Sequence, residues 1–178
     1  DPRRGLEVHD VAFADGARLK PSSVSRDSLP VGAFTYVAGE GLYVNLGGDN
    51  PGLHQALVGR RGNAFTATTR SWVNIEGFEI SHTESRSILL KLDCTDMMIA
   101  NNHITFSNSY GIETDDVERV TIAQNVISDN NYHGIGLTDG STACIVKDNE
   151  SFRNIDPAVR RANGIYVHSS YENTISGN

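Results

Sequence analysis

The chain has 178 residues, with 15 Lys and Arg against 22 Asp and Glu, and a formal net charge of −7. That balance argues against nucleic acid and against an anionic membrane surface as partners, since both call for a basic footprint. It also repels an acidic polymer, unless a local cationic patch or bridging metal ions offset the charge.

Two cysteines do not make a disulfide framework. No apolar run approaches the roughly 18 residues that a membrane helix needs. The opening Asp1-Pro2-Arg3-Arg4 has no signal-peptide character, and the chain stops at Asn178 within a repeat. The expectation is a mature protein or an excised segment.

Residues 1–70 show no long-range period and read as a small β subdomain, cap or insertion. Pro21-Ser22-Ser23 and Arg26-Asp27-Ser28 are loop-like. Phe34-Thr35-Tyr36-Val37 and Leu42-Tyr43-Val44-Asn45-Leu46 alternate apolar and polar around Ala38-Gly39-Glu40-Gly41, which predicts a β-hairpin. Ala56–Gly59 and Ala64–Thr68 are further strand candidates, the second as a first coil of the repetitive region.

From residue 71 to 178 the chain repeats. Ile75, Ile99, Ile122 and Val146 lie 24, 23 and 24 residues apart, and a fifth copy starts at Thr174-Ile175. Phe78, Asn102, Asn125 and Asn149 come three residues after them. A second landmark is Ser87-Ile88, Gly111-Ile112, Gly134-Ile135 and Gly164-Ile165, spaced 24, 23 and 30, with an insertion including Asp156–Arg161 in the last gap.

Each period holds two or three short strands split by Asn, Gly or Ser. That predicts an all-β fold, a right-handed parallel β-helix, with a small N-terminal hairpin subdomain. A sandwich has no reason to repeat at a constant interval. Inward residues should stack as ladders: Val73, Met97, Val120 and Cys144 in one, the Ile75 series in another. Asn102, Asn125 and Asn149 should form a turn ladder, in left-handed backbone and with amides bonded from coil to coil.

In this register Cys144 points inward, and Cys94 aligns with Val117 at a turn two coils away. Both thiols should be free, because two coils span about 9–10 Å. Asn149-Glu150-Ser151 matches a glycosylation sequon, but its Asn belongs to the ladder.

The strand after the second landmark presents a grid of outward side chains. Arg86, Tyr110, His133 and Asn163 precede the landmark. Leu89, Glu113, Gly136 and Tyr166 lie one residue past its Ile, and Lys91, Asp115, Thr138 and His168 lie three past it. Asp116 and Asp139 close the strands. Rings offer stacking faces for sugars, and carboxylates offer acceptors, metal ligands or acid–base groups.

Glu113, Asp115, His133 and Asp139 are the candidate catalytic residues. Arg86, Lys91, Tyr110, Tyr166 and His168 are the candidate binding residues. Glu113, Asp115, His133 and His168 should share one solvent-facing groove, with Arg160-Arg161 as a clamp for an anionic sugar. The plainer alternatives are a solvated polar face, an exposed loop, and a Lys91–Asp115 surface ion pair of little energetic weight.

From about residue 71 the chain resembles the secreted β-helix superfamily of pectate-lyase-like and mannuronan-epimerase-like proteins. Tyr110-Gly111-Ile112-Glu113-Thr114-Asp115-Asp116 resembles the epimerases' Tyr-Gly-Phe/Ile-Asp-Pro-His-Asp/Glu signature, with Glu, Thr and Asp where the pattern has Asp, Pro and His. Tyr132-His133-Gly134-Ile135 is similar to their next coil, and Leu42-Tyr43-Val44 to a hairpin of β-helix glycosidases.

The resemblance implies a secreted or cell-surface protein that binds and modifies a polysaccharide. A lyase or epimerase would use His133, Lys91 and Tyr110 as base and charge neutralisers, with Glu113 and Asp115 able to hold calcium. A hydrolase would use two of Glu113, Asp115 and Asp139. The alternative is a non-catalytic carbohydrate-binding or structural solenoid. No cofactor is required by the pattern, and the oligomeric state is left open.

Overall fold

The computed structural model describes residues 11–48, 50–156 and 161–178. Among these it is all β apart from two short 3-10 turns, Arg26–Ser28 and Pro51–Leu53. None of its helices is long and apolar enough to cross a membrane. The chain divides into two compact units, Asp1–Arg60 and Arg61–Asn178.

In the first unit, Ala33–Val37 and Gly41–Asn45 pair antiparallel in the expected hairpin, with Lys20–Pro21 added parallel to the first strand. Gly39 turns the hairpin at φ +81°, a region that glycine enters without a Cβ clash. Ala12–Ala14 is flanked by Ala17–Arg18 and Ala56–Val58. Ala12, Ala14, Leu19 and Phe34 form the core, with Leu42 and Leu46 packed on it.

The second unit is a parallel β-helix. Its first sheet runs Phe65–Thr68, Ile88–Thr95, Ile112–Glu118, Ile135–Thr138 and Ile165–Val167. The second runs Asn74–Glu76, Met98–Ala100, Thr121–Ala123, Ile145–Lys147 and Thr174–Ser176. The third runs Glu79–Ser81, His103–Thr105, Val126–Ser128 and Glu150–Phe152. Phe65–Thr68 pairs with Ile88–Lys91, so the first coil begins ahead of residue 71.

Ile88, Ile112, Ile135 and Ile165 share a register line, and so do Ile75, Ile99, Ile122, Val146 and Ile175. Both landmarks therefore read the stacking correctly. Strand alternation sends these side chains inward, where Ile88, Ile99, Ile112, Ile122, Ile135 and Val146 lose all contact with solvent. Met97, Val120 and Cys144 are buried beside them, but Val73, expected in the same ladder, is 40 % exposed. It belongs to the first coil, which stacks on one neighbour only.

The corners differ from the sequence expectation. Asn102, Asn125 and Asn149 are buried, and the left-handed residue is the one before each: Asn101, Gln124 and Asp148. The Asn residues instead aim their amides along the helix axis. Asn102 Nδ2 donates to Asn125 Oδ1 at 3.0 Å, Asn125 to Asn149 at 2.9 Å, and Asn149 to Asn178 at 2.8 Å. Each Oδ1 also accepts the backbone N–H of the Asn one coil back. A second amide ladder, Ser107–Asn130–Asn154, closes the next corner. Buried polar atoms are thereby satisfied within the protein.

Coil length alternates because one corner takes up an extra residue. Between Lys91 and Cys94 the register shifts against Asp115 and Val117, with Leu92 and Asp93 both left-handed. Two coils on, Asp139 and Gly140 (φ +96°) do the same.

Both cysteines are free and buried. Cys94 aligns with Val117 as expected, but it sits inside the strand Ile88–Thr95 rather than at a turn. Burial pushes the Cys144 thiol up. Asn149, in the sequon, spends its amide on Asn178 Oδ1 and on the carbonyls of Ile122 and Lys147.

Candidate functional site

The outer face of the first sheet carries the expected grid. Leu89, Glu113, Gly136 and Tyr166 lie in one register row, and Lys91, Asp115 and Thr138 in the next. Asp139 donates its backbone N–H to His168 O, which places His168 beside the end of that row. The alternation that drives Ile112 and Thr114 inward turns Glu113 and Asp115 outward together.

The face is not the open groove the pattern implied. Glu113 is 8 % exposed, His133 4 % and Tyr110 8 %. Their own neighbours roof them. A Cβ on Gly136 would fall 2.6 Å from Tyr110 Cε1, so the absent side chain is the seat of the Tyr110 ring. Tyr132 meets that ring edge-on at 5.1 Å between centroids. His133 lies 3.9 Å from Tyr132 and stacks on Tyr166 at 4.3 Å with planes 4° apart. Tyr166 continues to His168 at 6.0 Å and 6°. The result is a ring assembly across three coils, its His168 end in solvent.

Arg86, expected as a ligand for substrate, ion-pairs through Nε with Glu113 Oε2. It is anchored by its backbone N–H to Asn63 Oδ1 at 3.0 Å and by Nη1 to Ser85 Oγ at 3.1 Å. The buried carboxylate needs that counter-ion, because an unpaired charge there would be costly. Glu113 is consequently paired within the protein. Among the described residues no group of three or more His, Cys, Asp or Glu side chains is placed to hold a metal ion.

Burial holds Asp115 above the usual carboxylate range, reinforced by Asp139 and Asp116 and opposed by Lys91 and Arg86. Lys91 acts at a distance; no ion pair joins it to Asp115. Asp139 Oδ1 lies 3.7 Å from His168 Nδ1, with both side chains more than half exposed. Burial also pushes the Tyr110 hydroxyl well up, with Glu113 adding to it.

His133 has a defined tautomer. Its Nδ1 accepts the Asn163 backbone N–H at 2.8 Å, so the neutral ring carries its proton on Nε2. Burial lowers its pKa, which favours the neutral ring. A ring already protonated at Nε2, and bonded at Nδ1, is a donor rather than the base expected for proton abstraction. Nε2 itself is buried and has no partner.

Tyr132 and Gly136 were not among the candidates. The adjacent Tyr132-His133 pair was the available signal for the first. A glycine in a row that otherwise holds Leu, Glu and Tyr was the signal for the second. Of the expected Arg160-Arg161 clamp, Arg160 lies outside the described residues; Arg161 is exposed and its carbonyl accepts the Asp156 N–H at 3.4 Å. The first unit has its own hollow of about 280 Å³, lined by Arg26, Asp27, Leu29, Val44, Asn45, Leu46 and Gly48. It contains none of the grid residues.

Among curated proteins and among solved structures, no match was found. The family model described as right-handed β-helix region matches residues 33–178. With that match spanning most of its length and with its strands stacked in three parallel sheets, the chain belongs to the right-handed β-helix family.

Proposed function

We propose that this protein binds a polysaccharide outside the cell, along the outer face of the first sheet. The observation that carries the reading is the ring assembly His133–Tyr166–His168, with planes 4° and 6° apart and neighbours on Tyr110 and Tyr132. Tyr166 and His168 are the rings of this assembly that a ligand can touch; held rigid by the rings beneath, they offer apolar contact at small entropic cost, and carboxylates beside them offer acceptors for hydroxyls. Successive coils lie about 4.8 Å apart, so the assembly spans the length of two or three sugar units.

Modification of the bound chain is the second reading, and Asp115 favours it. A carboxyl raised above its usual range is better suited than an ordinary one to protonate a leaving glycosidic oxygen. Asp139 on the next coil supplies a second carboxylate. Elimination or epimerisation is less well served, since His133 is fixed as a donor.

The test is a glycan-binding panel on the wild type and on Tyr166→Ala and His168→Ala, with reducing ends and unsaturated products measured on the wild type and Asp115→Asn. Binding that weakens in both ring variants is the expected result, with new reducing ends lost in Asp115→Asn. Full binding by both ring variants would place the ligand elsewhere. Unsaturated products that persist in Asp115→Asn would refute the hydrolytic reading.

A further inference from the structure

We propose that Asn163 is a site of spontaneous covalent modification: its side chain cyclises onto Gly164, loses ammonia and opens to an isoaspartate, and that change releases the lock on the His133 ring. It holds whether or not the face takes a glycan.

Asn163-Gly164 is the one Asn-Gly pair in the sequence. Asn is among the heat-labile residues, and a glycine after it sets no side chain beside the nitrogen that attacks. Asn163 is exposed and lies outside the strands, just ahead of Ile165–Val167. Among the described residues its only hydrogen bonds are made by its main chain: its N–H donates to His133 Nδ1 at 2.8 Å, and its carbonyl accepts the Gly134 N–H at 3.0 Å. The carboxamide is therefore at liberty to turn. Other asparagines of the coils are held. Asn102, Asn125, Asn149 and Asn154 each donate through Nδ2. Each is also followed by a residue with a side chain: His103, Val126, Glu150 and Ile155.

Water is the only reagent the step needs. Gly164 N bonds to Asn163 Cγ, the Cγ–Nδ2 bond breaks, and Nδ2 leaves as ammonia with the Gly164 proton. Water then opens the cyclic imide. Opening at Cγ gives aspartate. Opening at the former main-chain carbonyl gives isoaspartate: the chain now runs through Cβ and Cγ, and the old carbonyl carbon is left as a carboxylate.

What is bonded on each side decides the consequence. Downstream, Gly164 O accepts from Ile135 N and from Ser151 Oγ, both at 2.9 Å, and Ile165 is in register with Ile135. Upstream, the single bond to His133 Nδ1 holds the Asn163 N–H. The extra carbon adds about 1.5 Å of main chain, and the less firmly held side yields. A contact of 2.8 Å lengthened on that scale is no longer a hydrogen bond. His133 Nδ1 then loses the donor that fixes its tautomer. The change is felt in the ring assembly, because Tyr166 stacks on His133 at 4.3 Å.

The experiment ages the whole chain in mildly alkaline buffer, native and unfolded in urea, and maps it by peptide mass spectrometry. Labelling with an isoaspartyl methyltransferase separates isoaspartate from aspartate. Isoaspartate is expected at position 163 of the native chain, ahead of every ladder asparagine. Gly164→Ala should slow its formation about tenfold or more, a rise of about 1.4 kcal/mol in the barrier. Asn163→Gln, which keeps the glycine, should abolish it. The ring-nitrogen resonances of His133 should shift in the aged native protein and stay in place in Asn163→Gln aged alike. Modification of the unfolded chain alone would show that the fold holds Asn163 away from Gly164, and overturns the proposal. Modification of Asn102 or Asn125 as fast as Asn163 overturns it equally. Isoaspartate at position 163 with His133 unmoved overturns the release of the ring.

Discussion

Replacing Asn125 by alanine removes one rung from the middle of the amide ladder. Its side chain accepts from Asn102 N and Nδ2 and donates to the carbonyls of Ile99 and Ala123 and to Asn149 Oδ1. The site has no access to water, with Asn125 at 0 % and Asn102 at 2 % exposure. The Asn102 N–H loses its acceptor outright, at a cost of about 1–3 kcal/mol. The remaining bonds contribute roughly 0.5–1.5 kcal/mol each, less where a group keeps a second partner, as Asn102 Nδ2 does with Ile75 O. The sum is about 3–5 kcal/mol, a large share of the roughly 5–15 kcal/mol that holds a domain folded. Asn131→Ala is the control, since its Nδ2 makes one bond, to Asn108 Oδ1 in a partly exposed position, and it should cost under about 1 kcal/mol. Urea unfolding followed by far-UV circular dichroism reads both. Equal midpoints for the two variants would refute the view that the ladder is a principal source of stability.

Gly136→Ala should destabilise by about 1–3 kcal/mol, because the new methyl meets Tyr110 Cε1 and Cδ1 at 2.6 and 2.8 Å while Tyr132 and His133 hem the ring in. Adding Tyr110→Ala to it should give a less-than-additive loss in chemical denaturation. Both thiols should react with a thiol reagent after denaturation without reductant and neither in the native state, since Cys94 and Cys144 are free and buried; an intact mass short by two hydrogens would contradict this. Asp115→Asn should raise the thermal midpoint at neutral pH and leave it unchanged in strong acid. The sign comes from a folded-state pKa raised above the unfolded one: the native carboxyl holds its proton longer, so stability falls as pH climbs from the ordinary carboxylate range through the raised value. A midpoint difference that grows toward low pH would show the carboxylate to be stabilised instead.

The coils were legible because inward residues obey a fixed spacing, and Ile99, Ile122 and Val146 have no other way to lose solvent together. The hairpin was legible from simple alternation. The Asn rows were placed correctly and given the wrong backbone: Asn favours left-handed φ in general, yet here Asn102, Asn125 and Asn149 sit one residue past the left-handed position, where an inward amide finds its neighbour. Alternation also showed which residues face out but not what lies on top of them. Glu113 and His133 are outward and still buried, because Arg86, Tyr110, Tyr132 and Tyr166 fold over the face, and that depends on rotamers that no spacing encodes. Cys94 was read as a turn residue because the extra residue at Leu92-Asp93 cannot be assigned to a corner from sequence alone.

That extra residue behaves like an expansion joint. At Leu92-Asp93 and again at Asp139-Gly140 the path lengthens by one residue, and the inner Ile columns on either side do not move. Length change at this corner is decoupled from register, whereas a residue added within the Asn102–Asn125–Asn149 column would slide every later amide out of reach of its partner. The same corner borders the Asp115, Asp116 and Asp139 carboxylates. The fold can therefore lengthen, shorten or recharge the margin of the proposed ligand face while the stack beneath stays in register, which makes this the place to graft a loop when new specificity is wanted.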